Sequence, residues 1–189
     1  MAQKDGHAHP AVFLDRDGVI NVDKGYVHKV SDFEWIEGAR EAIKYANDAR
    51  VLVIVVTNQS GVARGYYSEE DVRKLHRWIN RQLADIGARI DAFYYCPYHP
   101  EAIIPQYRRI SDMRKPGPGM ILKALAEWKI DKERSFLIGD SDRDIVAAER
   151  AGIRSQLFGG GDLRALMAKH IGTVLAEPLA ATPQGRESP

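Results

Sequence analysis

Six consecutive apolar residues, Val51–Val56, five of them β-branched, constrain this chain more than any other feature. An apolar run with no polar residue alternating into it fits a strand covered on both faces, as in a parallel sheet. It ends abruptly on Thr57-Asn58-Gln59-Ser60-Gly61. Three further short runs, Ala11–Leu14, Ala92–Cys96 and Ser135–Ile138, are separated from it by helical patterns.

Ala39, Ala42, Ile43 and Ala46 share one helical face. Ser68 reads as an N-cap with Asp71 three residues on. It opens a helix striped by Val72, Leu75, Ile79, Leu83 and Ile86 and stopped at Gly87. Ile121, Ala124, Leu125 and Trp128 mark another helix, and Ile145–Ala151 one ended by Gly152. A last strand is expected over Ile153–Phe158, then the loop Gly159–Gly161 and a helix from about Leu163. Strands alternating with helices predict an α/β fold: a doubly wound, mostly parallel sheet in three αβα layers. The expected organisation is a polar leader over 1–10, one domain over 11–171 and a loose tail over 172–189. Residues 97–119, with five prolines, form an irregular loop of a length usually reserved for function.

A formal net charge of +1 lacks the clustered basic excess of a nucleic-acid partner. No apolar run approaches the ~18–20 residues that span a bilayer, and the leader has no apolar signal core. A single cysteine, Cys96, cannot form an internal disulfide, which fits a reducing compartment. A cytoplasmic protein, with neither nucleic-acid nor membrane partner, is expected.

In an open parallel sheet, ligands bind at the carboxyl ends of the strands, where strand order reverses. The first run leaves as Asp15-Arg16-Asp17-Gly18. A strand-end carboxylate can attack phosphorus, and a second one two residues on can move the proton; a solvated acidic turn reads equally well. Thr57 and the amides after it can hold phosphate oxygens, or merely build a turn. Arg114-Lys115 before a helix can neutralise a phosphoryl group at its amino end, or sit solvated in a loop. Asp140, in Gly139-Asp140-Ser141-Asp142-Arg143-Asp144, can share a Mg²⁺ ion with Asp15, or belong to a capped helix start. Each motif alone decides little. In combination they supply a nucleophile, an acid/base, two phosphate clamps and a metal ligand, as phosphoryl transfer requires.

With these residues assembled, the chain resembles the haloacid dehalogenase superfamily of phosphatases. Within it the resemblance is to heptose 1,7-bisphosphate 7-phosphatases and histidinol-phosphate phosphatases. It is carried by residues 13–23 (Phe-Leu-Asp-Arg-Asp-Gly-Val-Ile-Asn-Val-Asp), Gly25-Tyr-Val-His28, residues 57–65, Arg114-Lys-Pro-Gly117 and Gly139-Asp140. It implies a minimal cap, Asp15 as nucleophile and Asp17 as general acid/base, with Thr57 and Lys115 stabilising the phosphoryl group. Mg²⁺ would be held by Asp15, the Asp17 backbone carbonyl and Asp140. Asp23, Lys24, Gly25, Tyr26, Asn58, Gln59, Ser60 and Arg114 match substrate contacts. Arg64, following the Thr57 loop, would reach a second phosphate, or stay a solvated loop arginine. The implied partner is a small sugar phosphate, met by a monomer that feeds surface polysaccharide biosynthesis.

Two departures stand out. Where the family commonly binds zinc through Cys-x-His and Cys-x-Cys pairs, this chain keeps Cys96 but has Tyr98, Ser111 and Met113 at the other positions. Zinc is therefore expected to be absent, since structural sites take four thiolate or imidazole ligands. His99 and Asp112 are a poor substitute pair, and packing of Tyr94, Tyr98, Ile103, Ile104 and Tyr107 is expected to hold the loop. Ser141 replaces a lysine frequent in sugar-bisphosphate relatives; either Arg143 compensates or substrate preference has shifted. His28, in the substrate stretch, is a candidate contact. His76 is expected on the solvent side of its helix, and Trp35, Trp78 and Trp128 in packing.

Overall fold

The structure is a computed structural model and describes residues 8–176. Five strands, β1 (Ala11–Leu14), β2 (Leu52–Asn58), β3 (Ala92–Cys96), β4 (Phe136–Gly139) and β5 (Arg154–Leu157), form one sheet in the order β3-β2-β1-β4-β5. Every pairing is parallel. The chain builds outward from β1 through β2 to β3, then returns to lay β4 and β5 on the other side. Strand order therefore reverses between β1 and β4.

The pleat sends alternate residues to opposite faces. Val12, Leu14, Val53, Val55, Phe136 and Ile138 enter one core with helices α1 (Ala39–Asp48), α2 (Glu69–Ala84) and α5 (Leu163–Ala176). Ala11, Phe13, Ile54, Val56 and Leu137 enter the other with α3 (Gly119–Glu127) and α4 (Asp142–Ala151). Covering on both faces is why β2 reads as an uninterrupted apolar run. Each fully buried Leu, Ile or Phe contributes about 1.5–3 kcal/mol, so the strand ends stand on a stiff frame.

The helices begin and end where their local chemistry directs. Ser68 Oγ accepts from Asp71 N–H at 3.2 Å while Asp71 Oδ2 accepts from Ser68 N–H at 2.9 Å, a capping box on α2. Gly152, at φ +70°, donates to the carbonyls of Ala148 and Glu149 and closes α4. Trp35 and Trp78 pack against the first core and Trp128 against the second.

Four expectations are corrected. His9 and Pro10 do not belong to a loose leader: His9 bonds through its backbone to Lys129 and Asp131 at 2.8 Å each, and Pro10 is buried. The rest of the leader, residues 1–7, lies outside the described residues. The last helix runs past 171 to Ala176, because Val174 follows Met167 and Ile171 into the core; residues 177–189 of the expected tail lie outside the description. His76 is 5% exposed rather than solvated, since its side of α2 turns toward β3 and Phe93. Ile103 does not pack the irregular loop and is 68% exposed; the buried residue there is Ala102.

That loop is otherwise tied down. The Ile103 and Ile104 amides donate to Ala63 O, Arg109 stacks 3.6 Å over the Tyr98 ring, and the Tyr95 and Tyr107 hydroxyls donate to the two Glu69 oxygens at 2.7 and 2.9 Å. The chain between β1 and α1 and this loop are short inserts with no strand or α-helix of their own, so the cap is minimal.

Candidate active site

The polar strand ends meet where strand order reverses. Asp15 follows β1, and its amide donates to Ile138 O of β4 at 3.1 Å, which fixes its place beside Asp140. Gly18 makes the next turn at φ +84°, and a Cβ there would fall on the Asp140 carboxylate. Only glycine lets the loop pass so close.

Lys115 comes up beneath Asp15 from the loop before α3. Its Nζ lies 2.8 Å from Asp15 Oδ2 and 2.5 Å from Asp144 Oδ1, and it donates to Val56 O at 2.8 Å. Asn58 clamps the lysine backbone in both directions, donating to Lys115 O and accepting from Lys115 N–H at 3.0 Å each.

Charge is out of balance here. Oxygens of Asp15, Asp140 and Asp144 lie within 4.8 Å of one another, with one ammonium among them. Burial pushes Asp15 up to about 6, against the pull of Lys115 and with help from Asp144. Burial, and then Asp144, likewise raises Asp140, whose Oδ1 is buried without a hydrogen-bond partner. Asp144 is already engaged, by Lys115 on Oδ1 and by Ser141 N–H and O–H on Oδ2. An oxygen-seeking divalent cation fits this donor set: Asp140 offers an unpartnered oxygen, and Asp15 offers oxygens that accept from the Arg16 amide at 2.6 Å and from Lys115 at 2.8 Å.

Above these groups opens a cleft of about 240 Å³ lined by Asp15, Asp17, Asp23, Gly25, Tyr26, Thr57, Asn58, Ser60, Tyr67, Arg114, Asp140 and Arg143. Most residues singled out in the sequence are thus brought together. Lys24 is not: its ammonium pairs with Glu34 at 2.7 Å, out in solvent. Gln59 is not a wall of the cleft either. It is 1% exposed, donates to Asp17 Oδ2 and Thr57 Oγ1 at 3.0 Å each, and accepts from Tyr67 O–H at 2.8 Å. Its amide ties the Asp17 and Thr57 side chains together. His28 braces the rim by stacking on Tyr67 at 4.6 Å.

Arg143 does enter the cleft, and its Nε donates to Ser141 Oγ at 3.0 Å, placing a cation beside the neutral serine. Arg114 reaches the same space with Nη1 buried and unpartnered, and burial together with Arg143 and Arg64 lowers its pKa. Arg64 itself does not line the cleft, and its Nε is also buried without a partner. Two guanidiniums in the cleft, with Arg64 near enough to act on Arg114, favour a bound anion.

Asp144, Arg16 and Tyr67 carry no sequence signal of comparable weight. Asp144 is legible only as the residue three positions on in a capping box opened by Ser141. Arg16 is flagged only by standing between two aspartates, and Tyr67 by nothing.

A reversing parallel sheet whose first strand runs into a carboxylate paired to a buried lysine defines a hydrolase of the haloacid dehalogenase type. The HAD-hydrolase-like family profile matches residues 112–181. A D-glycero-β-D-manno-heptose-1,7-bisphosphate 7-phosphatase of Rhodopseudomonas palustris is 50% identical over 154 residues, 82% of this chain and 86% of that protein. The enzyme of that name from Escherichia coli K12 is 43% identical, over 79% of this chain and 78% of that protein. A D,D-heptose 1,7-bisphosphate phosphatase from B. bronchiseptica, solved in complex with magnesium and phosphate, superposes with a TM-score of 0.73. It is 32% identical, with 85% of this chain and 86% of that chain covered. The chain belongs to the D-glycero-β-D-manno-heptose-1,7-bisphosphate 7-phosphatase family of HAD-like hydrolases.

Proposed function

We propose that this chain is a Mg²⁺-dependent phosphatase that removes the 7-phosphate of a heptose 1,7-bisphosphate through a phospho-aspartate on Asp15. The observation that carries the reading is the meeting of Asp15, Lys115 and Asp140, from three separate elements, at the point where strand order reverses.

Asp15 and Asp140 side chains, with the Asp17 backbone carbonyl, are the groups that would hold Mg²⁺. When bound, the ion supplies charge neutralisation and orientation of the phosphoryl oxygens. Lys115 holds Asp15 in place and, with Thr57, faces the transferred group. An Asp15 carboxylate oxygen bonds to phosphorus as the bond from phosphorus to the sugar oxygen breaks. The Asp17 carboxyl delivers its proton to that departing oxygen. Asp17 then takes a proton from water as the water oxygen attacks phosphorus and Asp15 leaves, yielding inorganic phosphate and free enzyme.

The guanidiniums of Arg114 and Arg143, with Arg64 behind them, favour a substrate with a second phosphate over histidinol phosphate. Asp23, Gly25, Tyr26 and Ser60 line the space between, where the sugar would lie. The organisation is one catalytic domain over about residues 9–176, acting as a cytoplasmic monomer in the supply of nucleotide-activated heptose for surface polysaccharide. The lone Cys96 supports the reducing compartment. Zinc is proposed to be absent from the irregular loop, a reading supported by Cys96 Sγ facing Tyr98 O at 3.9 Å and Arg109 stacking on Tyr98.

Phosphate release from heptose 1,7-bisphosphate, histidinol phosphate and other sugar bisphosphates, with and without Mg²⁺, tests the reading. The expected result is Mg²⁺-dependent release from the heptose substrate, abolished by Asp15→Asn. Preference for histidinol phosphate would redirect the substrate assignment, and turnover by Asp15→Asn would end the mechanism. No turnover by the native chain on any substrate would leave only a phosphosugar-binding module.

A further inference from the structure

Arg16 lies between the two reactive aspartates and is fully buried. Its guanidinium grips Asp17, with Nε 3.2 Å from Oδ1 and Nη2 2.9 Å from each oxygen. Nη2 also donates to Val27 O at 2.5 Å. On the far side, Nη1 meets His76 Nε2 at 3.4 Å. His76 sits on α2, sixty positions away in sequence, and does not line the cleft.

A planar guanidinium can orient a carboxylate only if its own plane is fixed. Val27 O fixes it on one edge, and His76 is the side chain that meets Nη1. The imidazole is itself immobile, stacked on Phe93 at 4.3 Å and 15° and edge-on to Tyr95 at 6.0 Å. Burial and the neighbouring Arg16 charge both hold it neutral. A neutral ring facing an arginine N–H must accept through Nε2, which places its proton on Nδ1. Apolar packing alone does not call for a histidine there; a leucine would fill the space and leave Nη1 without its buried acceptor.

We infer that His76 is a positioning residue for the proton-transfer step: it orients Arg16, which in turn orients the Asp17 carboxyl toward the departing sugar oxygen. This rests on the reading of Asp17 as the acid/base. A misplacement of this group by about 1 Å can cost as much as ~10²-fold in rate.

The need for that proton depends on the leaving group. A sugar alkoxide must be protonated as it departs, whereas nitrophenolate leaves without help. The test is therefore kcat/KM, which reports the first phosphoryl transfer, for the sugar bisphosphate and for p-nitrophenyl phosphate. His76→Phe, which keeps the ring volume and loses the acceptor, is expected to lower the sugar value about tenfold or more while the nitrophenyl value moves less than about twofold. His76→Gln, which restores an acceptor, is expected to recover most of the loss. Arg16→Lys, which keeps the charge but loses the fork, reads the same clamp should the phenylalanine variant not fold. Equal losses on both substrates, no loss on either, or no advantage of Gln over Phe would overturn the inference. Asp17→Asn runs beside them: if it fails to separate the two substrates, the fault lies with the acid/base reading and not with His76.

Discussion

Lys115 Nζ stands 2.8 Å from Asp15 Oδ2, and the two side chains are 1% and 10% exposed. Few charged pairs are so dry unless held by further partners, and here Asp144 and Val56 O complete the lysine's shell. The pair is a consequence of where the strands end: β1 delivers the carboxylate, and Asn58 at the end of β2 holds the lysine backbone.

Lys115→Met should therefore injure both stability and rate. Removing one member of a buried charge network costs about 3–5 kcal/mol, because the partners stay behind uncompensated. Loss of a positive group from the phosphoryl site should lower kcat by about 10²-fold or more. Thermal unfolding of the metal-free protein and steady-state kinetics check the two effects. A variant with native melting temperature and native kcat would show that the pairing has no energetic role.

The raised Asp15 pKa gives a pH signature with a definite sign. Burial lifts the folded-state value from 3.8 to about 6, so the protonated form is the one the fold favours. The contribution is fully present below about 3.8 and is lost as pH rises through about 6. A rise of that size corresponds to roughly 3 kcal/mol, the order of magnitude at stake in metal-free protein. Melting temperature in a chelator should fall between about pH 4 and about pH 7, and added Mg²⁺ should raise it more at the upper pH. Asp15→Asn should flatten that pH dependence, as differential scanning calorimetry would show.

How far these groups can be read from the sequence depends on the range of the signal. Val51–Val56 announces a doubly covered strand because parallel sheets bury both faces. The capping box at Ser68 and Asp71 announces α2 because its chemistry is local. Asp15, Thr57, Lys115 and Asp140 are legible because each ends or precedes an element in an order that phosphoryl transfer needs. Gln59 reads from the sequence as a substrate contact, since nothing local says that its amide turns inward to Asp17 and Thr57. His76 reads as solvated because helical periodicity places it beside the apolar stripe, while its partner Arg16 comes from another layer. Asp144 hides behind its role as a cap.

Gly18 offers a sharper geometric test than any charged residue. An alanine there would need a left-handed φ and would place its Cβ on the Asp140 carboxylate. Asp140 must move, so Mg²⁺ affinity should fall by about tenfold or more while the cores on either side of the sheet stay intact. Mg²⁺ titration of phosphatase activity, alongside circular dichroism, measures both. Unchanged Mg²⁺ dependence in Gly18→Ala would separate Asp140 from the metal.

Arg114 bears on which substrate the cleft selects. Its Nη1 is buried and unpartnered, and its pKa is lowered by burial and by Arg143 and Arg64, a state that a second phosphate would relieve. Hydrogen bonds to charged groups are worth about 1.5–3 kcal/mol, so Arg114→Ala should raise KM for a heptose bisphosphate by roughly 10–100-fold. A heptose 7-monophosphate has nothing to place there, and its KM should barely change. The ratio of the two effects is the informative quantity. If both substrates suffer alike, Arg114 serves the phosphate being transferred, and selection of the bisphosphate lies elsewhere in the cleft. If only the bisphosphate suffers, the arginine cluster reads the group that the reaction leaves behind. Arg143→Ala should then show the same asymmetry, because its side chain enters the cleft beside Asp140 while Ser141 brings no charge of its own.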